Sequence, residues 1–205
     1  YFIAKKISDL VSKQLTGAVH QATFPALSTL QDDNEALRLK YRQIMQLIMF
    51  LIAPIMTLLA ALASPLFGLL FDEQWQGAVP YLQLLCAAGV LYPMHALNVN
   101  LLNVKGRSDL VLKISILKKV VNITLLFLAI PFGVIGIIVS QVIGSLLALV
   151  PNTYYSARLV GYSLAAQIKD VVKPVFAAFV AACTSWIIAG ETSTASVALF
   201  FLAGV

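Results

Sequence analysis

Charge is scarce in this chain. Only 11% of its 205 residues are Asp, Glu, Lys or Arg, against roughly a quarter in an ordinary soluble domain, and just nine of them are acidic. With 60% hydrophobic residues beside so little charge, a soluble domain is excluded and an integral membrane protein is expected. The two cysteines, Cys86 and Cys183, lie inside apolar runs without metal spacing, which excludes a disulfide framework and predicts packed small hydrophobes. No initiator methionine or signal-peptide pattern opens the chain, and it stops inside an unfinished apolar run, so it reads as a piece of a longer protein. The ten-residue alternation of an outer-membrane barrel is missing, as are fixed repeats, low-complexity tracts and heptads. Also missing are metal-spaced His or Cys sets, a phosphate-binding glycine loop and a nucleophile elbow. Catalysis, a metal and a cofactor are therefore not expected.

What is present is a series of helix-length apolar runs, which predicts an all-α, polytopic transmembrane bundle forming one domain. The expected spans are roughly 2–24, 43–71, 79–104, 110–130, 134–151 and 174–189, with an incomplete one at 195–205. Phe24-Pro25 closes the first. Pro54 and Pro65 are read as kinks inside the second, Asp72 to Trp75 as its interfacial end, and Pro131-Phe132-Gly133 as a tight turn. Between Pro151 and Lys173 the mixture of tyrosines and charges reads as interfacial, with Tyr154, Tyr155 and Tyr162 as anchors. Gly136, Ser140 and Gly144 repeat every fourth residue, a spacing that lets a second helix approach closely.

The formal net charge of +5 follows topology and does not imply nucleic acid. Cations cluster in alternate connections: Arg38, Lys40 and Arg42; Lys105 and Arg107; Arg158, Lys169 and Lys173. The connections between them, 72–78, 131–133 and 190–194, have none. By the positive-inside rule the cationic set is cytoplasmic, so the first helix runs from the outer side inward.

That first helix is the anomaly. At about 100° per residue, Lys6, Asp9, Lys13, Gly17 and His20 fall on one stripe, opposite Ile3, Ile7, Leu10, Val11, Ala18, Val19 and Ala22. An ionisable residue at membrane depth costs about 2.5 to 3.5 kcal/mol on insertion scales, so it tends to face a wet cavity and to be functional. Lys6 and Lys13 are cavity candidates on that ground. Asp9, three residues after Lys6 and four before Lys13, leaves open a plain internal salt bridge. His20 is a minor candidate beside the simpler reading of a hydrogen-bonded packing residue. His95, Asn98 and Asn103 read first as interhelical hydrogen-bonding groups and second as sugar contacts. Lys118 and Lys119 divide between headgroup anchors and cavity residues. The candidate substrate-binding set is thus Lys6, Lys13, Asp9, His20, His95 and Asn98.

The punctuation between helices is familiar. Tyr1, Ala4 and Lys6 form an aromatic-x-x-Ala-x-basic pattern, and Phe24-Pro25-Ala26-Leu27-Ser28, Leu30-Gln31-Asp32-Asp33 and Leu37-Arg38 follow. With Leu69-Leu70-Phe71-Asp72-Glu73-Gln74-Trp75, Ala78-Val79-Pro80-Tyr81-Leu82 and Gly106-Arg107-Ser108-Asp109, this resembles the polysaccharide flippases of the multidrug/oligosaccharidyl-lipid/polysaccharide exporter superfamily. Lipopolysaccharide, O-antigen and colanic-acid exporters are the most similar type, over about Tyr1 to Val180. The resemblance implies a two-lobed exporter working by alternating access, with this chain most of the C-terminal lobe and the N-terminal lobe missing. It implies an undecaprenyl-pyrophosphate-linked oligosaccharide as cargo, membrane lipids as surroundings and the bacterial inner membrane as location. It also places Lys6, lysine where arginine is common, against the pyrophosphate. A multidrug or metabolite antiporter of the same superfamily is the alternative, expected to depend on cavity carboxylates. A glycan-polymerising membrane enzyme, expected to carry a catalytic acid, is a further one.

Overall fold

The computed structural model describes residues 1–71 and 73–191, with residues 73, 179 and 181–191 described in backbone only. It is all-helical: α1 (Phe2–Ser28), α2 (Asn34–Ala61), the short α3 (Ala63–Leu70), α4 (Val79–Val104), α5 (Ser108–Ala129), α6 (Gly133–Val160) and α7 (Leu164–Glu191). Among the described residues, three helical stretches are long and apolar enough to cross a membrane: Asn34–Ala61, Gln74–Val104, and Ser108–Val160, which joins α5 to α6. The expected run at 195–205, Asp72 and the side chain of Cys183 lie outside the described residues; Cys86 is buried and free.

Several helices run past the limits that proline suggested. All eight prolines sit in or at the start of helical segments, with Pro25, Pro54, Pro93, Pro151 and Pro174 inside α-helices. α1 continues through Pro25 to Ser28, and α6 continues through Pro151 to Val160. The stretch 151–173, read as interfacial, completes α6 and begins α7. A proline removes one backbone donor, and a packed neighbour or a hydroxyl can answer the freed carbonyl region. One turn beyond Pro54, Thr57 Oγ1 back-bonds to the Ala53 and Pro54 carbonyls at 2.8 and 3.1 Å. The long second run is not continuous: it breaks at Leu62, and Pro65 falls in the first turn of α3, where its missing N–H is harmless.

Helix ends are set by local chemistry. Asp33 caps α2, its Oδ1 accepting from the Glu35 and Ala36 amides, both at 3.0 Å. Gly161 closes α6 at φ +72°, a left-handed conformation that glycine takes without a Cβ penalty.

α4 is the hub. It packs against α1, α2 and α6, while α5 rests on α6 and α7 on α2. The main core lies between α2 and α4, with Met45, Met49, Ile52 and Met56 at helical spacing against Leu82, Leu85, Leu97 and Leu101. α5 buries only Leu110, Ile114 and Ala129 and exposes Leu112, Ile116, Ile123, Phe127 and Leu128. Such an apolar exterior suits lipid, not water.

The cation-bearing connections gather at one end. Lys105 Nζ donates to the Gln31 carbonyl and to Asn34 Oδ1, tying the α4–α5 turn to the α1–α2 turn. At the same end Arg42 grips Asp170 of α7 through two hydrogen bonds of 2.6 Å, and the Tyr162 hydroxyl donates to the same carboxylate at 2.8 Å. Burial, with that hydrogen bond second, raises the Tyr162 phenol well above its ordinary value, so it remains a donor.

Candidate functional site

α1 does not turn its charged stripe into the bundle. Besides Leu27 near its end, its buried positions are Ala4, Ser8, Ser12 and Thr16, an i, i+4 ladder of small side chains, and small residues let helix backbones close up where lipid gives no hydrophobic drive. Ser8 Oγ donates across the seam to the Leu85 carbonyl of α4 at 3.2 Å. Gly89 of α4 completes the contact: a Cβ there would lie 2.3 Å from Met56 Cε and 3.3 Å from Ser8 Oγ.

This seam decides which cation points inward. At about 100° per residue, the mean direction of the ladder lies about 40° from Lys5 and about 140° from Lys6. Lys5 is accordingly half-buried, and its Nζ donates to Gln141 Oε1 of α6 at 3.2 Å. Gln141 Nε2 in turn donates to the Tyr1 hydroxyl at 2.7 Å.

Lys5 lines a half-open cavity of about 450 Å³ walled by four helices. α1 contributes Lys5, Ser8, Asp9 and Ser12; α4 contributes Gly89, Tyr92 and His95; α5 contributes Lys118 and Asn122; α6 contributes Ser140, Gln141, Gly144 and Ser145. The small-residue spacing on α6 serves α5 here: a Cβ at Gly144 would lie 2.5 Å from Asn122 Oδ1. The cavity occupies the half of the bundle away from the cationic connections, since Lys5 and Asp9 are in the first turns of α1, whose far end carries the Gln31–Lys105 tie.

The cavity is cationic. Lys5 and Lys118 line it, while its carboxylate, Asp9, is bound by Lys13 Nζ at 2.7 Å. A surface pair of this kind contributes little stability, but it leaves Asp9 with no charge to spare for the other two lysines. Lys118 Nζ donates to Asn152 Oδ1 at 3.3 Å, Asn152 Nδ2 meets His95 Nδ1 at 2.8 Å, and His95 Nε2 meets Ser145 Oγ at 3.0 Å. Polar groups on four helices thus converge on one volume suited to an anion and to hydroxyl-rich matter.

The six residues singled out from the sequence are dispersed by the structure. Asp9 and His95 line the cavity. Lys6 and Lys13 are exposed on the outer side of α1, because the hydroxyl ladder, not the charged stripe, packs against α4. His20 stacks on Phe24 with ring centroids 5.8 Å apart and does not line the cavity. Asn98 is fully buried elsewhere, with its amide committed: Nδ2 donates to the Met94 carbonyl at 2.7 Å and to Gln167 Oε1 at 3.0 Å, while Oδ1 accepts from Ser156 Oγ at 2.5 Å and Gln167 Nε2 at 3.2 Å. It joins α4, α6 and α7 and has no group free for sugar. The sequence does not single out Gln141, Asn122 or Asn152, and it ranks Lys5, about 100° off the charged stripe, below Lys6; the signal for Lys5 is the Ala4, Ser8, Ser12, Thr16 spacing.

The Asn98 cluster makes a direct prediction. Asn98→Leu strands the Gln167 amide and the Ser156 hydroxyl in the core and is expected to cost about 1 to 2 kcal/mol, seen as a lower unfolding midpoint in detergent. Adding Gln167→Leu should recover part of that loss.

An all-helical bundle with a lipid-suited exterior and a cationic cavity between its helices defines a multi-pass membrane protein. Residues 1–80 match the family described as polysaccharide biosynthesis protein. The chain is 30% identical over 148 residues to an uncharacterized membrane protein in the cps region of Klebsiella pneumoniae, covering 70% of this chain and 29% of that protein. It is 29% identical over 136 residues to the lipopolysaccharide biosynthesis protein WzxC of Escherichia coli (strain K12), covering 66% of this chain and 26% of WzxC. The chain is therefore a membrane-protein homologue of both over about two thirds of its own length. It spans less than a third of the length of either relative. No solved structure matches.

Proposed function

We propose that this chain forms one lobe of an exporter that moves an undecaprenyl-pyrophosphate-linked oligosaccharide across the bacterial inner membrane by alternating access. It acts as a transporter and not as an enzyme. The reading rests on the cavity: two lysines, Lys5 and Lys118, line it, and its carboxylate is already held by Lys13. A pyrophosphate diester carries two negative charges that need such partners when removed from water. Hydroxyl and amide groups at Ser140, Gln141, Ser145 and Asn122 suit the adjoining sugars, and the isoprenoid tail stays among membrane lipids outside the bundle. The relatives' names, lipopolysaccharide biosynthesis and a membrane protein of a cps region, fit that cargo class. With the cationic connections in the cytoplasm, the cavity lies in the outer half of the membrane.

An antiporter driven by a cavity carboxylate is less well supported, because Asp9 is neutralised by Lys13 at 2.7 Å. The test is surface polysaccharide in cells carrying Lys5→Ala with Lys118→Ala in the full-length protein. Export is expected to fall by about tenfold or more at equal expression, since about 1.4 kcal/mol of lost binding already gives that factor. Unchanged export would refute the role of the cavity, and drug efflux with normal glycan export would favour the antiporter.

A further inference from the structure

His95 and Lys118 touch opposite ends of one buried amide, and the chemistry of that amide couples them. Asn152 is fully buried between α4 and α5. An ammonium has only donors, so the group facing Lys118 must be Oδ1. The amide is then fixed: Nδ2 faces His95 Nδ1, which must present a lone pair. The ring proton therefore sits on Nε2 and is donated to Ser145 Oγ, 3.0 Å away. In this arrangement the imidazole is neutral.

An imidazolium cannot fit the same arrangement, because N–H would meet N–H at the 2.8 Å contact between Asn152 Nδ2 and His95 Nδ1. Protonation requires the Asn152 amide to turn over and offer Oδ1 to His95. The turn presents Nδ2 to Lys118, donor against donor, and expels the ammonium from its 3.3 Å contact. Lys118 already lines the cavity, so that is where it goes. The reverse path is equally available: an anion that draws Lys118 off Asn152 frees the amide to accept from His95.

We infer that His95 is a proton-binding site linked to the anion site of the cavity, with Asn152 as the positioning residue that makes proton and anion bind together. This rests on the proposed binding of a pyrophosphate diester in the cavity. The charged and titratable groups around His95 agree on the sign. α1 presents Lys5 and the Lys13-bound Asp9, α4 presents Tyr92, and α5 presents Lys118; the α6 residues lining the cavity include none, and α2 contributes nothing to its wall. The surrounding cations oppose an imidazolium in the empty cavity, and a bound dianion offsets them. By reciprocity, whatever the anion does for the proton the proton does for the anion. Anion affinity rises as pH falls, approaching about tenfold per pH unit where one linked proton titrates.

The experiment uses the full-length protein in lipid nanodiscs and UDP-glucose, a soluble pyrophosphate diester whose phosphate charges do not titrate near neutral pH. Isothermal titration in two buffers of different ionisation enthalpy reads the protons taken up on binding. The wild type should take up a fraction of a proton approaching one, with affinity increasing toward acid. His95→Gln should bind with no uptake and a flat pH profile. Lys118→Met keeps His95 but leaves the amide free to turn in the empty cavity, so uptake should fall although the imidazole is intact. Uptake in His95→Gln equal to the wild type would overturn the linkage while leaving the anion site standing. Uptake undiminished in Lys118→Met would overturn the amide as its carrier. No binding by the wild type at any pH would remove the anion site and the linkage with it.

Discussion

Reversing the charge at Lys5 is expected to abolish export, whereas the same change one residue later should leave most of it. Lys5→Glu places a carboxylate in the cavity beside Asp9, where the diphosphate is proposed to sit. Two unit charges about 4 Å apart interact by about 4 kcal/mol at the effective dielectric of a protein surface, and reversal turns attraction into repulsion of similar size. Water in a half-open cavity screens part of this, yet a residue of about 3 kcal/mol would still exceed a hundredfold in affinity. Lys5→Glu also breaks the 3.2 Å bond to Gln141. Lys6 is exposed on the far side of α1, so Lys6→Glu should alter expression or interfacial placement more than export. Surface polysaccharide for the two variants at matched protein level checks the contrast. Equal defects would mean that the charged stripe itself, not this cavity, meets the cargo.

The other large effect is mechanical and sits at Gly89. Leucine there must enter a space where even a Cβ would lie 2.3 Å from Met56 Cε and 3.6 Å from Ser12 Cβ. Overpacking of this kind costs about 1 to 3 kcal/mol or more, and at this seam it also pushes α1 off α4 and opens the Ser8 to Leu85 hydrogen bond. Gly89→Leu should therefore lower the unfolding midpoint sharply and reduce export. Gly89→Ala should be mild: the clash is with the flexible end of a methionine, and alanine recovers about 1 kcal/mol of helix propensity. Gly17, whose Cβ would meet nothing within 4 Å, serves as the control, and Gly17→Leu should change the midpoint little.

The helical class was legible because composition alone decides it, and α4 coincides with the apolar run Val79 to Val104. Proline misled the reading of α6 and α7: in water Pro151 and Pro174 would mark boundaries, but in a packed membrane bundle both lie inside helices. The site was half legible. His95 and Asp9 stood out as rare ionisable residues in apolar surroundings, and both line the cavity. Lys5 did not, because the charged stripe marks the other side of α1, and tight approach through Ala4, Ser8, Ser12 and Thr16 defines the inward face. Asn98 looked like a ligand group for the opposite reason: an amide in an apolar run signals either a wet cavity or a buried cluster, and periodicity does not separate the two. Asn152 stood beyond Pro151, in a stretch read as lying in the interface, so its place between His95 and Lys118 depended on a helix the sequence did not announce.

The ties among Arg42, Asp170, Tyr162, Lys105 and Gln31 all sit at one end of the bundle, and the cavity sits toward the other. At the cavity end the links between helices are single hydrogen bonds, from Lys5 to Gln141, from Gln141 to Tyr1 and from Ser8 to the Leu85 carbonyl. For helices about 40 Å long, a splay of about 5° pivoting at the tied end would carry the opposite ends about 3.5 Å apart, more than the width of a water molecule. The mouth of the cavity would widen by that amount, parting Lys5 from Gln141, without the Arg42 grip on Asp170 changing length.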